Sequence, residues 1–138
     1  MPRSSNTGKV VAQRKVLIVE PDVNNRTSLG DLLESRGHRV HLAATGEEGM
    51  AAAAMLHPDV VFIDLGLPDM EGERAIAAMK AAIPSSPFVV AYTGFQRREA
   101  DARRAGCDAF VLKPSVDLLL AIAEALDLRL VAQRGATH

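Results

Sequence analysis

Short apolar runs alternate along the chain with stretches of helical spacing. Four runs are rich in β-branched or aromatic residues and do not alternate with polar positions; they lie at 16–19, 60–63, 88–92 and 109–112. Such runs are typical of strands covered on both faces. A weaker run at 39–42 does alternate, as expected of a strand with one face in solvent. The pattern therefore predicts five strands.

The stretches between these runs carry the signals of helices. Apolar spacing, capping residues and glycine stops predict helices at 22–36, 45–56, 71–82 and 96–105, and a last helix from Ser115. The fourth helix has the weakest apolar stripe, and its charged run is typical of a solvated face. Strand–helix alternation repeated five times predicts an α/β fold, a doubly wound parallel sheet with helices on both faces.

Composition narrows the class of protein. The 138 residues have a net charge of −1, and 48% of them are hydrophobic, which fits one globular domain. We expect a disordered arm at 1–14, the domain at 15–127 and a short polar tail at 128–138. Near-neutral charge and 4% aromatic residues argue against a dedicated nucleic-acid binder. The longest uncharged stretch, 81–96, is too short to cross a bilayer, so we expect a cytoplasmic protein without membrane contact.

Polar residues stand where the predicted strands end. Glu20 and Asp22 follow the first strand, Asp64 ends the third, Thr93 ends the fourth and Lys113 follows the fifth. In sheets of this type, ligands bind outside the carboxyl ends of the strands, so these side chains should share one cleft. Clustered carboxylates favour a hard cation, Mg²⁺ or Ca²⁺, and Mg²⁺ prefers a few carboxylates, waters and a phosphoryl oxygen. A lysine and a threonine beside them suit an incoming phosphoryl group.

Four segments at these strand ends resemble the receiver domain of two-component response regulators: VLIVEPD, VVFIDLGLPDMEG, AYTGF and DAFVLKP. Each motif alone is weak, but all four in order at successive strand ends are a strong signal. The resemblance covers about 15–126. It implies the flavodoxin-like strand order 2-1-3-4-5 with five helices.

The resemblance also implies a role for each matching residue. Asp64 is expected to be the phosphoacceptor, and Lys113 to pair with its phosphorylated carboxylate. Thr93 is expected to be the switch hydroxyl and Phe110 the rotating switch aromatic. Apart from the resemblance, we expect Asp69 to fix a loop turn rather than to bind a ligand. The expected Mg²⁺ ligands are Glu20, Asp22, Asp64 and the backbone carbonyl of Gly66.

One position departs from the family pattern. Pro21 stands where the family usually has a second acid, which normally ligates the metal directly. Glu20 matches the first acid. Asp22 lies one residue late, where it either reaches the metal or caps the first helix. The departure bears directly on whether the chain binds metal and accepts phosphate.

Three functions therefore compete. The first is a stand-alone receiver, itself not an enzyme, that a sensor histidine kinase or phosphotransfer protein phosphorylates. It would act on a partner protein through the face of the fourth helix, fifth strand and fifth helix. The second is a degenerate receiver that binds partners without phosphorylation. The third, a nucleotide- or flavin-binding enzyme, is disfavoured because no glycine-rich phosphate loop follows the first strand.

Overall fold

Strands and helices alternate throughout the part of the chain that the computed structural model describes, residues 13–94 and 98–113. The strands are β1 (Lys15–Val19), β2 (Arg39–Ala43), β3 (Val60–Asp64), β4 (Phe88–Thr93) and β5 (Ala109–Leu112). The helices are α1 (Val23–Ser35), α2 (Gly46–Leu56), α3 (Gly72–Ala82) and α4 (Glu99–Ala105). The last predicted helix, the polar tail and residues 1–12 of the predicted arm lie outside the described residues.

The five strands form one parallel sheet in the order β2-β1-β3-β4-β5. This order confirms the predicted fold. The strand order reverses between β1 and β3, which are hydrogen-bonded neighbours. Glu20, which follows β1, and Asp64, which ends β3, are therefore placed side by side at the carboxyl edge of the sheet.

Burial follows the apolar runs. Every residue of β3 is buried, whereas β2 at the sheet edge is mostly exposed. Alternate residues of a strand point to opposite faces, so Leu17 packs in the core under α2 and α3 while Ile18 packs in the core under α1. Burying an aliphatic side chain of this size stabilises the folded state by about 1.5–3 kcal/mol. Two apolar layers thus hold the sheet and leave its carboxyl edge open for polar groups.

The helices begin where short polar side chains accept main-chain hydrogen bonds. The Asp22 carboxylate accepts the N–H of Asn25 at 2.9 Å and caps α1. The Thr45 hydroxyl accepts the N–H of Glu48 at 3.1 Å and caps α2. Helix α4 begins at Glu99, later than the predicted start at 96. No helix in the described ranges is both long enough and apolar enough to cross a membrane.

Gly72 brings α3 against the end of β3. A Cβ atom at this position would lie 2.5 Å from the Leu65 Cα and 2.8 Å from the Asp64 carbonyl oxygen. Both neighbours are backbone atoms that cannot move aside, so the close approach requires glycine. The Gly72 N–H donates to the Leu65 carbonyl at 3.0 Å. The start of α3 is therefore held next to the residue that ends β3.

Candidate functional site

Three charged side chains meet at the carboxyl edge of the sheet. The Lys113 Nζ lies 2.8 Å from Glu20 Oε1 and 2.8 Å from Asp64 Oδ2. The three residues come from the ends of β5, β1 and β3. The structure therefore brings together the lysine and two of the acids that the sequence placed in one cleft.

Glu20 is fully buried and accepts hydrogen bonds at both carboxylate oxygens. Its Oε1 accepts from Lys113 and from the Tyr92 hydroxyl at 2.9 Å, and its Oε2 accepts from the Asp22 N–H at 2.8 Å. A buried carboxylate is costly unless charge and hydrogen bonds compensate it. Here one ammonium, one phenol and one main-chain N–H supply that compensation.

Tyr92 is a site residue that the sequence reasoning missed. It is buried at the penultimate position of β4, and the Lys113 Nζ lies 4.8 Å from the centroid of its ring. A buried tyrosine hydroxyl needs a hydrogen-bond partner. The one tyrosine of the chain, next to Thr93 in an apolar run, was the signal that could have found it.

Asp64 is held from two sides. Its Oδ1 accepts the Gly66 N–H at 2.9 Å, and its Oδ2 contacts the Lys113 ammonium. The carboxylate is largely buried, whereas Gly66 is exposed on the loop after β3. One main-chain donor and one ammonium thus orient the predicted phosphoacceptor.

The segment after β1 differs from the four-ligand expectation. The exposed Asp22 carboxylate caps α1, which is one of its two predicted uses. Arg26 fixes the backbone here, because its Nη1 donates to the carbonyls of Glu20 at 2.8 Å and Pro21 at 3.2 Å. Across residues 13–94 and 98–113, no three side chains of His, Cys, Asp or Glu are grouped so that they could hold a metal ion.

The donors that are present still match Mg²⁺ in chemical type. Glu20 and Asp64 supply carboxylate oxygens, and Gly66, whose N–H donates to Asp64, also carries a main-chain carbonyl. Mg²⁺ binds through one or two carboxylates and keeps several waters. Two carboxylates and one carbonyl therefore fit the ion without Asp22.

The two predicted switch residues lie on the neighbouring strands. Thr93 is buried at the end of β4, and its carbonyl accepts the Lys113 N–H at 2.8 Å. Phe110 is half-buried in β5, paired with Ala91, and packs against the core under α2 and α3. Thr93 thus adjoins the site, Phe110 lies on the strand that leads to Lys113, and the switch roles of both stay predictions.

Asp69 fixes more than its own turn. Its carboxylate accepts the N–H of Gly46 at 2.8 Å and of Glu47 at 2.9 Å, so it caps α2 from the loop after β3. These two hydrogen bonds lower the pKa of the Asp69 carboxyl.

The charged run at α4 was predicted to be a solvated face. That prediction is wrong for Arg98, just before α4, because two glutamates pair with its guanidinium.

Replacing Tyr92 by Phe should flatten the loss of stability at alkaline pH. Burial raises the pKa of the Tyr92 phenol, and the negative charge of Glu20 raises it further. The unfolded chain therefore loses this proton first, near pH 10, so the free energy of unfolding falls as the pH rises beyond that value. The decline should be shallower in Y92F by up to about 1.4 kcal/mol per pH unit. Urea unfolding at a series of alkaline pH values measures the difference.

Lys113 also contributes to the alkaline loss of stability, and it is present in both wild type and Y92F. Burial alone lowers the pKa of Lys113, but the hydrogen bonds to Asp64 and Glu20 outweigh burial and the net shift is upward. Lys113 therefore adds a decline in the same direction to both proteins. Since the chain has one tyrosine, tyrosinate absorbance reports Tyr92 directly. If tyrosinate absorbance appears near pH 10, the value usual for a free tyrosine, while the protein is still folded, then the pKa of Tyr92 is not raised and the prediction is wrong.

Comparison with known proteins decides the family. A sequence model of the response regulator receiver domain matches residues 16–124. The chain belongs to the response regulator receiver family. This receiver is 31% identical over 107 residues to the regulatory protein AtoC of Escherichia coli, covering 76% of the chain and 23% of AtoC. It is 30% identical over 105 residues to the polar-differentiation response regulator DivK of Brucella ovis, covering 73% of the chain and 85% of DivK.

Solved structures agree with this assignment. A CheY-like response regulator receiver domain protein from Methanospirillum hungatei superposes with a TM-score of 0.76 at 31% identity, covering 84% of this receiver and 95% of that chain. The receiver spans 23% of AtoC and 44% of the KdpE protein of Mycobacterium tuberculosis, so these relatives are much longer proteins. The relation to them concerns the receiver domain alone.

Proposed function

We propose that this receiver accepts a phosphoryl group on Asp64 from a sensor histidine kinase or phosphotransfer protein and then regulates a partner protein by a conformational switch. Membership of the receiver family supports phosphorylation-dependent signalling as the general role. The observation that carries the specific proposal is the Lys113 ammonium, 2.8 Å from both Glu20 and Asp64. A cation placed beside an oriented carboxylate is what phosphoryl transfer to that carboxylate needs.

The transfer step is a displacement at phosphorus. An oxygen of Asp64 attacks the phosphorus of a phosphohistidine in line with the departing imidazole nitrogen. The new O–P bond gives an acyl phosphate, the P–N bond breaks, and its electron pair stays with the imidazole. The Gly66 N–H holds the Asp64 carboxylate in position, and the Lys113 ammonium lies close enough to offset charge on the transferred group.

Glu20, Asp64 and the Gly66 carbonyl are the groups that would hold Mg²⁺. When bound, the ion supplies further neutralisation of phosphoryl charge. The chain's own contribution is to keep the two carboxylates together, which Lys113 does by contacting both, while the Tyr92 hydroxyl orients Glu20. We leave Asp22 out of this proposed set, because one oxygen of its carboxylate already caps α1.

The switch step uses the residues at the ends of β4 and β5. The Thr93 hydroxyl would donate to a phosphoryl oxygen on Asp64, and Phe110 would turn toward the space that Thr93 vacates. The face that includes α4 and β5 would then shift, and a partner protein would read the shift. Phosphorylation in this scheme biases two pre-existing conformations rather than creating a new one.

A second function is favoured by one observation. Pro21 cannot ligate a metal through its side chain, and Asp22 is used as a helix cap. A receiver with so few ligands could serve as a phosphorylation-independent protein-binding module. The following experiment separates this function from the first.

Intact mass spectrometry after incubation with acetyl phosphate tests the proposal, with and without Mg²⁺. We expect one phosphoryl adduct that forms with Mg²⁺ and does not form when a chelator is present during the incubation. Absence of both the adduct and Mg²⁺ binding in a titration would favour the phosphorylation-independent module. If Mg²⁺ binds and no adduct forms, a phosphorylated histidine kinase domain replaces acetyl phosphate as donor, and failure there overturns the proposal.

A further inference from the structure

Arg98, the residue before α4, joins that helix to two other parts of the chain. Its Nε and one Nη donate to the two carboxylate oxygens of Glu73 at 3.0 and 2.6 Å. The same Nη lies 2.7 Å from Glu71 Oε1 and 3.2 Å from the Leu65 carbonyl oxygen. One guanidinium thus connects the start of α4 with the start of α3 and with the residue after Asp64.

This arrangement differs from the other ion pairs of α4. The Arg98 and Glu73 side chains are 20% and 18% exposed, and the paired geometry is bidentate. Arg103 pairs with Glu99 inside α4, with both side chains nearly half exposed. Exposed ion pairs within one helix contribute little to stability. A partly buried bidentate ion pair between two helices restrains the position of one helix relative to the other.

The guanidinium also lies within electrostatic reach of the phosphoacceptor. Leu65 follows Asp64 directly, and its carbonyl accepts from both Arg98 and the Gly72 N–H. The hydrogen bond to Glu73 is the main reason that the pKa of Arg98 is raised, and the charge of Asp64 acts in the same direction. Glu71 and Glu73 therefore hold this cation directly, and Asp64 attracts it without contact.

We propose that Arg98 is a positioning residue that couples the phosphoacceptor to α4: Glu73 and Glu71 hold it before phosphorylation, and the phosphoryl group on Asp64 draws it away from them. The proposal rests on the proposed function, because it needs a phosphoryl group at Asp64. It assigns to Arg98 the link between that group and the face that a partner reads.

Charge competition is the physical reason. An acyl phosphate on Asp64 carries more negative charge than the carboxylate it replaces and presents further oxygen acceptors. The negative charge of Asp64 already attracts Arg98. Additional negative charge on Asp64 therefore strengthens that attraction at the expense of the pair with Glu73. Weakening the Arg98–Glu73 pair frees the start of α4 from α3. Removing Glu73 in advance should therefore favour the phosphorylated arrangement.

The test compares two chemically identical changes. Glu73→Gln breaks the pair between α4 and α3, and Glu99→Gln breaks the exposed pair within α4. In the unliganded protein, we expect amide hydrogen exchange in α4 to be about fivefold faster in E73Q and near wild type in E99Q. Equal exchange in both variants would show that Arg98 does not restrain α4.

The second readout is affinity for beryllofluoride, a phosphoryl mimic, in the presence of Mg²⁺. Fluorescence of Tyr92, the one tyrosine in a chain without tryptophan, follows its binding. We expect E73Q to bind at least about fivefold more tightly than wild type and E99Q to bind as wild type does. Unchanged or weaker binding by E73Q overturns the coupling, because a purely structural loss cannot tighten the site.

The two readouts also separate this proposal from the proposed function. If wild type binds no beryllofluoride, the phosphoacceptor role fails, whereas faster exchange in E73Q would still establish the restraint. Should E73Q fold poorly, Arg98→Lys keeps the charge and loses the bidentate geometry. Tighter beryllofluoride binding by R98K supports the coupling, and unchanged binding contradicts it.

Discussion

Asp64→Asn is expected to abolish the phosphoryl adduct completely and to leave the fold intact. An amide is not a nucleophile toward phosphorus, so no acyl phosphate can form at this position. The amide oxygen can still accept the Gly66 N–H, and Lys113 stays paired with Glu20 one to one. Because one of the two clustered negative charges disappears, the free energy of unfolding should change by less than about 1 kcal/mol. Intact mass and urea unfolding measure the two effects.

Asp69→Asn is the matched control for this variant. Asp69 lies on the same loop, but it is exposed and its carboxylate caps α2 rather than contacting Lys113. We expect D69N to form the adduct as wild type does. An adduct that persists in D64N would show that another side chain accepts the phosphoryl group, and the assignment of Asp64 would be wrong.

Lys113→Met is expected to lower the free energy of unfolding by about 3 kcal/mol at neutral pH. The change leaves Glu20 and Asp64, 0% and 8% exposed, as two neighbouring carboxylates without their shared cation. Breaking a fully buried pair costs about 3–5 kcal/mol. The lower end applies because the Lys113 side chain is 24% exposed. Urea unfolding of both proteins gives the difference.

Two further variants identify the cause of that loss. Lys80→Met removes an ammonium that contacts one carboxylate, that of Asp108 at 2.8 Å, at the opposite end of β5 from Lys113. It should cost only about 1 kcal/mol. Adding Glu20→Gln to K113M removes the more deeply buried of the two unpaired charges and should restore most of the stability. Equal losses in K113M and K80M would show that the shared lysine has no special role in balancing the two acids.

The strands and the site edge were predictable because local signals decide them. β1, β3 and β4 are apolar without alternation because packed core lies on both of their faces, whereas β2 lies at an edge of the sheet and is mostly exposed. Placing Glu20, Asp64 and Lys113 at one edge followed from the parallel topology alone. The start of α4 was placed at 96 rather than Glu99, because that helix has little apolar spacing to mark it.

Tyr92 and Arg98 show where sequence reasoning ended. The Tyr92 hydroxyl meets Glu20 across 72 positions of the chain, and Arg98 meets Glu73 across 25. No local sequence pattern predicts such a pairing, because the pairing depends on strand order and on how the loops fold over the sheet edge. A charged run was therefore interpreted as a solvated face although one of its arginines is engaged by two glutamates.

The sequence by itself determined the alternation of elements, the parallel sheet, and the residue types at its carboxyl edge, since burial and helix capping are encoded within a few neighbouring residues. Only the tertiary structure decided how those types are paired. It paired Lys113 with two acids at once, used the Asp22 carboxylate to cap α1, and brought the Tyr92 hydroxyl within hydrogen-bond distance of Glu20. The reason is physical: buried charges need partners, and which partner comes within reach is a property of the packed chain.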